Sequence, residues 1–256
     1  MNVITRDNKD KWTEQKISMD IPNFLQNLTQ EEIEEHNKRV DEYEKKMELE
    51  KRLKIFRNCG IGENYWNYDL HNFKTTLPMQ KTMLNSARNF FGKVRNGQKT
   101  NLVLLGEAGQ GKSMIAIGLL KEFCFTVKEV KFGLNQYYTI LYITSKELCD
   151  MLARTQSYSY SKSLDSVLND LAKPDIVVID EVRKATVKNE FECLFSFFDK
   201  RMQYKKSSIL CGNMTQDEFN SNMSSYGMSR LNIDGNLILV NVEGIPDLRQ
   251  NNTEIK

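Results

Sequence analysis

The residues Gly106-Glu107-Ala108-Gly109-Gln110-Gly111-Lys112-Ser113 have the types and spacing G-x-x-x-x-G-K-[ST], which is a pattern for holding phosphate. Glycines let backbone N–H groups curl around phosphate oxygens, and the helix expected from Lys112 through Met114, Ile115, Ile117 and Leu120 adds its partial positive end. Lys112 is expected to reach the β- and γ-phosphates and Ser113 to ligate Mg²⁺. The ligand expected is therefore ATP with Mg²⁺, held by Gly106 through Met114. A second group lies about 70 residues on, where the apolar run Ile176-Val177-Val178-Ile179 ends in Asp180-Glu181. A buried parallel strand has this composition. It would deliver Asp180 to Mg²⁺ and leave Glu181 to polarise an attacking water. A third run, Ser208-Ile209-Leu210-Cys211-Gly212, ends at Asn213, where a sheet would bring an amide to the γ-phosphate. Arg230 and Arg249 follow as candidates for stabilising negative charge in a transition state.

Counting excludes other chemistries. With only His36 and His71, histidine-dependent metal sites and Ser-His-Asp triads have almost no material. The five cysteines, Cys59, Cys124, Cys149, Cys193 and Cys211, are odd in number with no C-x-x-C pair, so they read as reduced core thiols. Lys and Arg total 36 against 34 Asp and Glu, so any nucleic-acid surface must be a local patch. No apolar run is long enough for a membrane span and the N-terminus has no hydrophobic signal region, so no membrane partner is expected and a cytoplasmic protein is.

These residues need elements to position them. From about Leu77 onward helical stretches alternate with short apolar runs, as in a parallel α/β sheet. The strands expected are 101–105, 138–143, 175–179, 208–212 and 237–242. Upstream, residues 1–28 are polar and aperiodic and read as a mobile or partner-ordered arm. Thr29-Gln30-Glu31-Glu32 has capping-box spacing and opens one long helix to about Arg57. Ile33, Val40 and Met47 recur on it at sevens with Tyr43 between them, and its many charges nearly cancel. Such a helix suits a protein partner, or packing on its own domain, better than DNA. Cys59-Gly60-Ile61-Gly62 breaks it, and Tyr65, Trp66, Tyr68 and Phe73 form a junction whose rings pack onto the next domain. The division expected is 1–57, an arm and long helix; 58–76, the junction; and 77–256, the nucleotide domain. The Ser- and Tyr-rich stretch 155–163 is a loop.

From about Phe56 to Arg249 the chain resembles the DnaC-type bacterial helicase loaders, which are AAA+ ATPases. Besides the nucleotide motifs, Phe56-Arg57-Asn58-Cys59-Gly60-Ile61 and Leu70-His71-Asn72-Phe73 are similar to the segment leading into their ATPase domain. The resemblance implies an α/β P-loop NTPase fold of the AAA+ kind: a central parallel sheet flanked by helices, a helical N-terminal extension and no separate C-terminal lid domain. It makes Asn213 the sensor-1 residue, Arg230 a finger acting on a neighbouring subunit and Arg249 the sensor-2 arginine. The chain departs from the family pattern at Arg183, where Gly is usual, at Ser229, where Asp is usual, and at the ending Gly244-Ile245-Pro246-Asp247-Leu248-Arg249.

The function implied is that of an ATP-dependent loader. It would bind a hexameric DnaB-type replicative helicase through residues 1–57, assemble with itself in an ATP-dependent way and place the ring on single-stranded DNA. Tyr158, Tyr160 and Lys162, and Arg183, Lys184 and Lys188, are the DNA-contact candidates. Two other readings stay open: a transposition helper ATPase of the insertion-sequence type, binding duplex DNA and a transposase, and a scaffold that binds ATP without turnover.

Overall fold

The computed structural model describes residues 2–6, 12–16, 29–155, 162–183, 189–242 and 244–248. The chain divides into two units, 1–49 and 50–256. In the first, β1 (Asn2–Arg6) pairs antiparallel with β2 (Trp12–Lys16), Asn2 opposite Lys16 and Arg6 opposite Trp12. A hairpin over 2–6 and 12–16 is not among the elements expected within the 1–28 arm, whose residues 17–28 lie outside the described residues. Val3-Ile4-Thr5 and Trp12-Thr13 are short β-prone runs on either side of Asp7-Asn8-Lys9-Asp10, and a hairpin needs no more apolar content than that.

The helix α1 (Gln30–Arg57) crosses from one unit into the other. Its capping box forms: the Thr29 N–H donates to Glu32 Oε2 at 2.8 Å, and the Glu32 N–H to Thr29 Oγ1 at 3.3 Å. Ile33, Val40 and Met47 are 43%, 40% and 46% exposed among the described residues. The far end of the helix buries Phe56.

In the second unit α2 (Pro78–Arg95) leads to β3 (Asn101–Gly106), the phosphate loop and α3 (Lys112–Phe125). A hairpin of β4 (Val127–Lys131) and β5 (Leu134–Tyr137) intervenes before β6 (Ile140–Thr144) and α4 (Ser145–Arg154). There follow α5 (Leu164–Ala172), β7 (Ile176–Arg183), α6 (Asn189–Gln203), β8 (Ser207–Asn213), α7 (Gln216–Leu231) and β9 (Leu237–Val242). The five expected strands form one parallel sheet in the order β6-β7-β8-β3-β9. Because β3 lies between β8 and β9, the loop that follows it sits where the chain order reverses, a position that favours ligand crevices at the carboxyl ends of strands.

Period-2 alternation along β3 explains the two cores. Leu102 and Leu104 face Phe56, Phe73, α2 and α3, whereas Val103 and Leu105 face the cluster built by α4 to α7. The junction belongs to the first of these cores: Cys59, Ile61, Leu70 and Phe73 are buried in it. Gly60 shows how tightly it fits. The Tyr142 N–H donates to Cys59 O at 2.7 Å, and a Cβ on Gly60 would lie 2.1 Å from Tyr142 O at a φ of +105°. Only glycine tolerates both conditions. No disulfide joins any of the five cysteines, and burial pushes Cys59 up to about 12 and Cys124 up to about 11.

Candidate nucleotide site

The loop between β3 and α3 closes tightly against the chain's last described segment. A Cβ at Gly109 would lie 2.0 Å from Asp247 Oδ1, and the φ there is +82°. The Leu248 N–H donates to Gly109 O at 2.9 Å, and Gln110 Nε2 donates to Ile245 O at 3.0 Å. Gln110 Oε1 is buried with no hydrogen-bond partner. Lys112, at the first turn of α3, is buried and its ammonium donates to Gly106 O at 3.0 Å and Glu107 O at 2.6 Å. Ser113 and Met114 follow on the same turn, half-buried. Beside the loop lies a cleft of about 850 Å³, lined by Gly106, Glu107, Ala108 and Gln110, by Asn213 to Thr215, and by Val242 and Gly244 to Pro246 among others. That volume suits a nucleotide-sized ligand.

The pair Asp180-Glu181 lies inside β7, which runs on to Arg183. This corrects the expectation that the strand ends before the pair. Ile179 pairs with Leu210 and Val182 with Gly212, so Asp180 and Glu181 face the single residue Cys211 across a bulge. Glu181 takes a φ of +55°, and Ser145 Oγ donates to its carbonyl at 3.0 Å. The bulge separates two neighbouring carboxylates. Asp180 is buried and accepts from Tyr142 Oη at 2.7 Å and from the Glu181 N–H at 2.6 Å. Glu181 is exposed, and its carboxylate receives Arg183 Nη2 at 3.3 Å. Cys211, wholly buried on β8, feels both Asp180 and Lys112; burial is the larger influence and pushes its thiol up.

Asn213 ends β8 and reaches the cleft, next to the capping box of α7, where the Glu218 N–H donates to Thr215 Oγ1 at 3.3 Å. Arg230 is absent from the lining residues of the cleft. It sits near the end of α7, ion-paired to Asp199 of α6, with its guanidinium 4.4 Å from the centre of the Tyr226 ring. The Asp199 bond holds the Arg230 pKa above its ordinary value. Arg249 lies outside the described residues, as do Tyr158, Tyr160, Lys184 and Lys188. Lys162 is bonded to Asp170 Oδ2 at 2.8 Å. The structure thus brings Lys112 and Asn213 to the carboxyl ends of adjacent strands, with Asp180 one strand beyond, and leaves Arg230 on another surface. Residue types alone did not mark Tyr142, Ser145 or Asp247. Tyr142 sits in the expected strand 138–143, but only the pairing of β6 with β7 shows which carboxylate it meets.

The model of the family described as IstB-like ATP binding protein matches residues 7–234. The chain belongs to this family. The expected kinship and the AAA+-like P-loop fold are therefore established, and nucleotide binding follows from them. No curated protein matches the chain. Among solved structures, the DnaC helicase loader is 18% identical with a TM-score of 0.56, over 71% of this chain and 100% of that one. DnaI is 14% identical with a TM-score of 0.54, over 74% and 94%. AMPPCP-bound DnaA from Aquifex aeolicus is 17% identical with a TM-score of 0.54, over 71% of this chain and only 52% of that one. At such identities the likeness is one of fold. No described helix is long and apolar enough to cross a membrane.

Proposed function

We propose that this IstB-like chain hydrolyses ATP with Mg²⁺ and acts as a loader, binding a replicative helicase through residues 1–57 and placing it on single-stranded DNA. The observation that carries the reading is the exposed stripe of Ile33, Val40 and Met47 on a chain that also has a nucleotide cleft. An ATPase used as a switch needs a surface that grips its client, and an amphipathic helix laid into a groove is one such device.

Within the site, Lys112 offsets phosphate charge and the 106–113 backbone cradles it. Ser113 and Asp180 are hard oxygen donors of the kind Mg²⁺ takes, and a carboxylate that accepts one bond on each oxygen, as Asp180 does, keeps lone pairs for a metal or its waters. The ion would neutralise charge on the β- and γ-phosphates. Glu181 is the base that orients water. Its pair with Arg183 is on the surface, worth about 0–1 kcal/mol, so turning toward the cleft costs little. Asn213 orients the γ-phosphate and the water, Arg249 acts on the chain's own nucleotide, and Arg230 serves a neighbouring copy in an ATP-dependent assembly.

The family model itself favours a second reading, a transposition helper that binds duplex DNA and a transposase. One experiment divides the two: immobilised full-length chain with ATP and Mg²⁺, offered the replicative helicase of its own source, a transposase, and single- and double-stranded DNA. Helicase capture with single-strand preference supports the loader. Transposase capture with duplex preference replaces it.

A further inference from the structure

The amino ends of β7, β8 and β3 lie side by side, at the opposite end of the sheet from the nucleotide cleft. They carry Asp175, then Lys205 and Lys206, then Lys99. The β4–β5 hairpin brings Lys128 to the same place. Asp175, a buried carboxylate, accepts Lys128 Nζ at 2.7 Å and Lys206 Nζ at 2.5 Å, and also both donors of Thr139. Two lysines thus share one carboxylate, and Lys99 and Lys205 add two more positive charges at the neighbouring strand ends. The crowding registers on Lys99, whose pKa is lowered first by desolvation and then by Lys206 and Lys128, with Lys205 also contributing. A cluster of like charges that the fold does not neutralise invites an anion from outside.

The hairpin adds the second observation. Its turn is Phe132-Gly133, with φ of +51° and +75°. Two-residue turns of this kind favour Asn or Gly at both positions, and a bulky residue at positive φ is uncommon. Packing does not account for this phenylalanine, because its ring is wholly exposed. At about 3.3 Å per residue, the ring stands about 13 Å along the strand from Lys128. An aromatic face held in solvent beside a field of lysines is the combination that binds single-stranded nucleic acid: phosphates meet the charges and a base stacks on the ring.

We infer that this edge, Lys99, Lys128, Lys205 and Lys206 with Phe132 at the hairpin tip, is a single-stranded nucleic-acid site separate from the nucleotide cleft. It requires neither bound ATP nor the loader reading.

The test uses fluorescence anisotropy of a labelled mixed-sequence single-stranded oligonucleotide with the full-length chain, without nucleotide, over a salt series. The Phe132→Ala variant is expected to weaken binding about 5- to 150-fold, the range for losing one stacked base, whereas Phe132→Trp retains it. The double variant Lys99→Ala/Lys205→Ala, which leaves the Asp175 bonds in place, should reduce the salt slope by about 1.4. Both variants should melt like the wild type and bind ATP as it does. Wild-type affinity in both variants would overturn the inference, as would equal affinity for a duplex of the same length. A wild-type chain that ignores the oligonucleotide but loses a protein partner on Phe132→Ala would make the hairpin a protein surface instead.

Discussion

Lys112 and Glu181 occupy opposite environments, and their variants should fail in opposite ways. The lysine is buried within its own loop, bonded to Gly106 O and Glu107 O, so its charge is already desolvated where phosphate would sit. Lys112→Ala is expected to abolish nucleotide binding, measured with a fluorescent ATP analogue. Glu181→Gln should bind ATP normally and turn over about 10²- to 10⁴-fold more slowly, the usual contribution of a positioned base. Wild-type turnover in that variant would remove Glu181 from catalysis. Arg230 calls for a different measurement, because Asp199 and Tyr226 fix its guanidinium away from the cleft lining. Arg230→Ala should bind ATP and hydrolyse it about 10³-fold or more slowly. Mixing it with Lys112→Ala should restore activity, since one mixed interface pairs an intact site with an intact finger. No recovery, with assembly confirmed, would exclude a role in trans.

At the scale of elements, α1 and the junction behind it do separate work. Replacing Ile33, Val40 and Met47 together by Ser removes the stripe and keeps every charge. Helicase capture should be lost while ATP binding and the melting temperature stay unchanged, because these side chains are already in solvent. Retained capture would mean that the helicase docks elsewhere. The junction offers the converse case. Gly60→Ala places a methyl 2.1 Å from Tyr142 O at a positive φ, and relief of that clash breaks the bond between the Tyr142 N–H and Cys59 O. A loss of about 2 kcal/mol or more is expected in urea unfolding. An unchanged midpoint would show that the junction yields freely. Since Tyr142 also holds Asp180, the same variant should slow turnover.

For the molecule as a whole, the amino end of the sheet is fastened by charge. Arg201, buried on α6, donates to Ala172 O at 2.9 Å, to Asp175 O at 3.1 Å and to Ser208 Oγ at 3.1 Å, and also to Pro174 O and Ser207 O, tying the entries of β7 and β8 together. Burial by itself would raise the Asp175 pKa, but the bonds from Lys128, Lys206 and Thr139 outweigh it and hold the carboxyl well below the usual range. A depressed folded pKa contributes stability above the unfolded value, about 3.9, and loses it as pH falls below that. Wild-type stability should therefore decline by about 1 kcal/mol on acidification from pH 6 to pH 3 on this account, and further below that as pH approaches the folded value. Asp175→Asn should be weaker at pH 6 and show a shallower decline, read as urea midpoints across that range; parallel declines would assign the acid sensitivity to other carboxylates. The sequence by itself determined the phosphate loop, the five strands to within about two residues except at the carboxyl end of β7, the capped helix α1 and its stripe, because backbone chemistry and apolar periodicity are local. It missed both hairpins, whose strands are short and, for β4 and β5, solvent-exposed without a buried face to impose a period. Only the tertiary structure decided that β8 separates β7 from β3, that a bulge parts Asp180 from Glu181, and that Tyr142 and residues 245–248 close on the site. Strand order, register and contacts between distant segments depend on packing that no local run of residues encodes.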